Sequence, residues 1–233
     1  MKNIKNELKS WQGEKILMAI FPHPDDETMA TGGLLLAANK LGWNTIVVTL
    51  TKGEAGQNHL KAGELESIRV EELNKATKVL KVDKLVIGNY PDGKLRQTES
   101  AWSKWLNVQM FKYNPAWIVT YDPSGLTGHP DHITLSKDLI KHHKSKLWFT
   151  TMPKTLKYYN PKIIDYLTDP THKLDLELDW IGKSQAAYAH KSQHLGKSLP
   201  IPLWMALAYL GREWYHEYNP KIKYKSKFVD FKI

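Results

Sequence analysis

The apolar patterning of this chain predicts a doubly wound α/β fold, a mostly parallel sheet with helices on both faces and a C-terminal cap. Two observations carry that prediction. Near-continuous apolar runs recur at Ile16–Phe21, Thr45–Leu50, Leu85–Ile87, Trp117–Tyr121 and Leu147–Thr151. Runs of this kind, without polar alternation, suit strands covered on both faces. Segments with helical spacing lie between them, at Thr28–Leu41, Leu65–Leu80, Ala101–Tyr113 and Ile133–His143.

The alternation holds to about residue 151 and then loosens. Pro153–Leu174 reads as strand and loop, Asp179–His190 as a helix, and Leu203–Tyr218 as a second helix or an aromatic-rich loop. The lysine-alternating stretch Lys221–Lys227 reads as an edge strand with one wet face. No repeat or linker interrupts the chain, so 1–233 is read as one domain, with an α/β core over 1–151 and a cap over 152–233.

Composition narrows the chemistry. The chain has 233 residues and no cysteine, which excludes disulfides, thiolate metal sites and cysteine nucleophiles. Any metal must therefore sit on His and carboxylates. No apolar run approaches the roughly 20 residues that cross a bilayer, and Met1–Gln12 lacks the apolar stretch of a signal peptide. A cytoplasmic location is the expectation. Net charge is +9, with the basic excess in the C-terminal hundred residues as scattered Lys. Without a dense basic run, it reads as a solvated surface, and no nucleic-acid partner is expected. Nine Trp is a high count. Trp102, Trp105, Trp204 and Trp214 have the faces to stack on sugar rings, but core or interface packing is the commoner use, and a homo-oligomer is compatible with it.

Two short clusters carry the function. Phe21-Pro22-His23-Pro24-Asp25-Asp26-Glu27 follows the first apolar run, and Gly128-His129-Pro130-Asp131-His132 follows the fourth. In open α/β sheets, ligands collect beyond the carboxyl ends of strands near the switch point, where both clusters are placed by periodicity alone. His-Pro-Asp sequences also occur in plain turns, but two of them at two strand ends argue for a shared site. His23, Asp26 and His132 are the expected metal ligands: two imidazoles and one carboxylate leave an open position, as catalytic sites do. A zinc-type ion on them would lower the pKa of its water to about 7. Asp25, beside the metal but not on it, is the expected general base. His129 would stabilise the oxyanion or protonate the leaving amine, and Asp131 would hold the His129 ring in the required tautomer. Glu27 is read as a helix cap, and His59 as part of a glycine-rich surface loop.

Together these motifs resemble the two signatures of the PIG-L/LmbE-like zinc-dependent de-N-acetylases. Arg69-Val70-Glu71-Glu72, Pro91-Asp92-Gly93-Lys94-Leu95 and Lys183 to Gln193 are similar to further family segments. The resemblance implies a Rossmann-like fold and hydrolysis of an N-acetyl group from a GlcNAc-containing conjugate, a small-molecule substrate, giving acetate and a free amine. It implies Zn2+ on His23, Asp26 and His132, with Fe2+ or Co2+ able to fill the same ligands. Asp25 would be the general base and His129 its electrostatic or acid partner, while Arg69 and Asp92 become candidate sugar contacts. One departure stands out: Thr127 occupies the position where some members carry a tyrosine that assists at the oxyanion. Tyr121 or His129 would have to substitute.

Two other readings use the same residues. Two His and one carboxylate also form the facial triad of non-haem Fe(II) oxygenases. The basic charge would alternatively suit a nucleic-acid-binding protein with a structural metal.

Overall fold

The computed structural model describes residues 1–60, 63–156, 162–193 and 211–229. Strands β1 (Lys2–Asn3), β2 (Ile16–Phe21), β3 (Asn44–Thr49), β4 (Lys84–Ile87), β5 (Trp117–Tyr121), β6 (Lys146–Thr151), β7 (His172–Asp175) and β8 (Arg212–Glu217) form one sheet in the order β1-β7-β8-β6-β5-β2-β3-β4. From β6 to β4 every neighbouring pair is parallel. β8 runs antiparallel to both β6 and β7. The expected mostly parallel α/β sheet is the one found, and the five apolar runs are its five contiguous parallel strands, from β6 to the edge strand β4.

Seven helices are described: α1 (Ile4–Ser10), α2 (Asp26–Lys40), α3 (Leu65–Val79), α4 (Glu99–Tyr113), the single turn α5 (Gly125–Gly128), α6 (Pro130–His142) and α7 (Asp179–Ala189). Burial splits the core in two, as a doubly wound sheet requires. Leu17, Ala19, Phe21, Val47, Trp117 and Val119 face one layer with α2, while Met18, Ile20, Val48, Ile118 and Phe149 face the other with α4 and α6. Alternate residues of each strand thus enter opposite cores. Among the described residues no helix is long and apolar enough to cross a membrane.

Two expectations fail beyond residue 151. The described part of Leu203–Tyr218 is not helix or loop but strand β8, inserted between β6 and β7. Its Trp and Tyr residues are strand formers that pack well on a two-sided sheet; residues 203–210, with Trp204, lie outside the described ones. Lys221–Lys227 forms no strand. Neither β6 nor β8 has a free edge for it: β8 occupies β6, and β7 occupies β8. The segment leaves the sheet at Asn219-Pro220 and runs irregularly to Val229.

The sheet order reverses between β2 and β5, which are hydrogen-bonded neighbours pairing Leu17 with Trp117 and Ala19 with Val119. Chain that leaves their carboxyl ends therefore emerges side by side. Helix α2 is broken at Thr31, and the buried Glu213 carboxylate accepts the N–H groups of Gly33 (2.7 Å) and Leu34 (2.9 Å) just beyond the break. Lys183 neutralises that carboxylate at 2.7 Å. The break sets the direction of the first turn of α2, which begins at Asp26.

Candidate metal centre

Residues 22–25 join β2 to α2, and residues 122–129 join β5 to α6. The adjacency of β2 and β5 brings the two histidine clusters together. His132 Nε2 lies 3.2 Å from His23 Nδ1. The Asp26 carboxylate lies 3.3 Å from His23 Nδ1 and 3.5 Å from His132 Nε2. Three donor groups thus form a triangle, and all three residues are buried. Ligand bonds of 2.0–2.1 Å at tetrahedral angles require donors about 3.3–3.4 Å apart, so a zinc-sized cation fits this triangle.

The remaining ring nitrogens have partners of their own. His132 Nδ1 is 2.9 Å from the Gly125 carbonyl, an acceptor only, so its proton sits there and the Nε2 lone pair points inward. His23 Nε2 is 3.0 Å from Asp92 Oδ1 and 3.3 Å from Asp131 Oδ2, while its Nδ1 faces the inward His132 Nε2 and Asp26 Oδ2, so acceptors flank both of its ring nitrogens. The His132 lone pair, the Asp26 carboxylate and the His23 Nδ1 meet at one buried point, a donor set that a cation could complete by displacing the Nδ1 proton. Carboxylate and carbonyl partners on the outer nitrogens are the usual support of metal-bound histidines.

Electrostatics agree. Burial alone would raise the Asp26 carboxyl, but the His132 and His23 rings beside it hold it well below the usual range. Asp26 also accepts from the Tyr121 hydroxyl (2.8 Å) and the His23 N–H (2.9 Å). Burial lowers the pKa of the His132 ring, against the pull of the Asp26 carboxylate. Before any cation enters, burial disfavours charge on His23, but hydrogen bonds to Asp131, Asp26 and Asp92 more than offset this and raise it well above 6.5. A cation entering there would have to displace the His23 proton.

Asp25 stands at the N-terminus of α2 in the left-handed region, with φ 108°. A non-glycine residue held there marks a constrained position. Its backbone N–H donates to Glu27 Oε2 at 3.0 Å, and its Oδ2 lies 3.2 Å from Arg69 Nη2. Burial pushes its carboxyl up to about 6, with the Arg69 charge opposing the rise. Glu27, expected as a helix cap, is fully buried and does more: its other oxygen meets the Thr28 hydroxyl (2.6 Å) and His190 Nε2 (3.2 Å).

His129 is the N-cap of α6, and its Nδ1 accepts the Asp131 N–H at 3.2 Å. The proton of the neutral ring is then on Nε2. Burial and the neighbouring His132 and His23 rings lower its pKa to about 3. The Asp131 carboxylate does not face the His129 ring as expected. It accepts the Gly93 and Leu95 N–H groups (2.8 and 3.1 Å) and faces His23.

Arg69 and Asp92 line the same pocket, of about 340 Å3, together with Ala55, Gly56 and Gln57. Both make internal bonds. Besides His23, Asp92 holds the Ala55 N–H at 3.1 Å. Arg69 donates to the carbonyls of Gly53 and Pro24 as well as to Asp25. Its guanidinium lies where side chains at Gly53 and Gly56 would be: added Cβ atoms would sit 2.4 and 2.7 Å from it. The glycine-rich loop is thus a wall of the pocket, which the sequence reading assigned to surface. The sequence also missed Asp92 as the partner of His23, and Glu72, whose carboxylate takes the Ser192 N–H and hydroxyl at 2.7 Å each. Trp102 is core, with its indole N–H on the Leu95 carbonyl, and Trp214 belongs to β8. Tyr121, the alternative to a tyrosine at 127, turns its hydroxyl to Asp26 and stacks on His132 at 4.3 Å.

Comparison with known proteins follows the same lines. The profile of the PIG-L family, described as GlcNAc-PI de-N-acetylase, matches residues 18–142. A 1D-myo-inositol 2-acetamido-2-deoxy-alpha-D-glucopyranoside deacetylase of Rhodococcus opacus is 33% identical over 146 residues, 52% of this chain and 50% of that protein. A probable N-acetyl-alpha-D-glucosaminyl L-malate deacetylase 2 of Bacillus anthracis is 30% identical over 127 residues, 52% of this chain and 56% of that protein. The chain spans about half the length of the curated relatives it matches. Among solved structures, the N,N'-diacetylchitobiose deacetylase of Pyrococcus horikoshii superposes with a TM-score of 0.67 at 20% identity, over 92% of this chain and 90% of that one. A 4-carboxy-2-hydroxymuconate hydratase from Pseudomonas putida reaches 0.64 at 16%, over 91% of this chain and 99% of that one, so the fold alone does not choose the reaction. The family profile spans both histidine clusters and more than half of the sequence: this chain belongs to the PIG-L, or GlcNAc-PI de-N-acetylase, family.

Proposed function

We propose that this chain is a metal-dependent hydrolase that removes the N-acetyl group from a GlcNAc-containing conjugate, giving acetate and a free amine. One observation carries the reading: His23, Asp26 and His132 converge on one buried point, while Asp25 and His129 border the same pocket. The names of the relatives, deacetylases of GlcNAc-inositol and GlcNAc-malate, support the substrate class.

Zinc is the proposed metal, with Fe2+ or Co2+ as substitutes on the same donors. When bound, such a cation supplies a Lewis acid that polarises the amide carbonyl and acidifies water to near neutrality. The residues do the rest. Asp25, with its carboxyl near 6, accepts the proton of the attacking water. That carboxyl then holds the proton the departing amine needs, so one group serves both transfers. Arg69 keeps the Asp25 carboxylate in place. His129, neutral and protonated on Nε2, donates a hydrogen bond to the oxygen on which charge develops. Asp92 and Asp131 fix the His23 ring. Arg69 and Asp92 also line the pocket, which leaves them candidates for sugar contact.

The decisive assay is a panel of N-acetylglucosamine conjugates with inositol, malate and chitobiose aglycones, scored for free amine with and without chelator. Amine release that a chelator abolishes is expected. Release that survives full metal removal contradicts the mechanism. The same assay run anaerobically excludes an oxygenase if turnover persists, since oxygenation alone needs oxygen.

A further inference from the structure

We propose that Lys227-Phe228-Val229, near the end of the described chain, is a strap that positions His129; the proposal rests on the hydrolase role given to His129 above. The strap touches each segment that flanks this histidine. The Val229 N–H donates to the Gly128 carbonyl at 2.9 Å. That carbonyl belongs to the peptide unit from which His129 departs, so holding it fixes the plane that launches the histidine. Gly128 has φ 83°, and a Cβ there would lie 2.5 Å from Val229 Cγ2 and 3.1 Å from the Lys227 carbonyl. The strap is seated directly against the second motif, and the glycine of that motif leaves the room for it.

The side chains continue the pattern. The Phe228 ring takes the Arg96 guanidinium at 5.0 Å and the Lys137 ammonium at 5.2 Å, both within cation–π range. Arg96 ends the turn whose Gly93 and Leu95 N–H groups hold Asp131, and Lys137 lies on α6, which His129 caps. Val229 packs with Leu126 on the buried cluster of Met152, Ile163 and Leu167. The strap thus ties the 92–96 turn, the 125–129 turn and α6 to one another around His129.

The metal ligands are held differently. His23 rests on Asp92 and Asp131, His132 on the Gly125 carbonyl, and Asp26 on Tyr121 and the His23 N–H. None of those bonds involves residues 227–229. Loss of the strap is therefore expected to misplace His129 while leaving the cation in its site, a separation that general unfolding would not produce.

The test uses the full chain with Phe228→Leu, Phe228→Tyr and Val229→Pro, the last removing the N–H donor. Leu keeps apolar bulk without a ring, and Tyr keeps the ring. For Phe228→Leu and Val229→Pro, kcat is expected to fall about 10–100-fold, the range for a small misplacement of a catalytic group. KM should stay within about twofold and zinc should remain at one per chain. Phe228→Tyr should restore kcat. Amide exchange over residues 124–132 should quicken in the two impaired variants and not in Phe228→Tyr. Wild-type kcat and exchange in both impaired variants would overturn the proposal, as would loss of zinc alongside activity. If the wild-type chain cleaves no N-acetylglucosamine conjugate, the hydrolase reading fails by itself, and the exchange comparison still decides whether the strap holds this turn.

Discussion

Replacing Asp25 with asparagine should damage catalysis and stabilise the cation-free protein at the same time. The Asp25 side chain is 18% exposed, and burial lifts its carboxyl to about 6 from 3.8 against the pull of Arg69. Each pKa unit is worth about 1.4 kcal/mol, so ionising this buried carboxyl costs the fold about 3 kcal/mol. The sign follows from proton counting. As pH rises, the unfolded chain releases this proton first, near 4, and the folded chain only near 6. The stability linked to Asp25 is therefore complete below about pH 4, declines between about 4 and 6, and is gone at 7. An amide stays neutral throughout and avoids the loss. With chelator present, Asp25→Asn should melt about 5–10 °C above wild type at pH 7.5, with the gap closing at pH 4. Turnover of the metal-loaded variant should fall by about 10²–10⁴, as for loss of a general base, with metal retained. Undiminished turnover would refute the assignment of the base. A melting difference equal at both pH values would refute the burial argument.

Three further outcomes follow from the same geometry. His132→Ala should lose metal along with activity, measured as zinc per chain after dialysis; native zinc affinity in that variant would rule out the ligand set. The rate should fall on the acid side with an apparent pKa at or below about 6, because Asp25 must be ionised and any cation beside it lowers its pKa further. Gly53→Ala should place a methyl 2.4 Å from the Arg69 guanidinium carbon and so displace it from Asp25; a fall of about tenfold or more in kcat is expected, with zinc content unchanged.

How far the sequence could be read depended on the range of the interaction. The five contiguous parallel strands and the helices between them follow from local apolar runs, and their predicted ends differ from the structure by a residue or two at most strands. The meeting of the two motifs was legible because strand ends at a sheet's switch point have few places to go. Strand β8 was not: its aromatic residues carry no periodicity that separates a strand from a helix, and its place between β6 and β7 is decided by partners far away in sequence, from 37 (Asp175 to Arg212) to 69 residues (Trp148 to Glu217). Helix α1 was also missed, although Asn3 accepts the Lys5 N–H and Ile4 and Leu8 share its buried face. Within the site, residue types pointed to the side chains that meet there, His23, Asp26 and His132 with Asp25 beside them, but not to what each supporting group touches. Asp131 turns to His23 rather than His129 because the Gly93 and Leu95 N–H groups draw its carboxylate that way. Arg69 spends its guanidinium on Asp25 because two glycines sixteen and thirteen residues earlier make room for it. Such choices arise from tertiary contacts that no local pattern encodes.

X-ray absorption at the zinc edge, on the loaded chain and on His129→Ala, asks the central question most directly: which atoms hold the cation. Two imidazole nitrogens and one or two oxygens at about 2.0–2.1 Å, the same in both proteins, are the expected shell. A third imidazole in wild type that disappears in His129→Ala would make His129 a ligand, and would leave the account without its oxyanion donor.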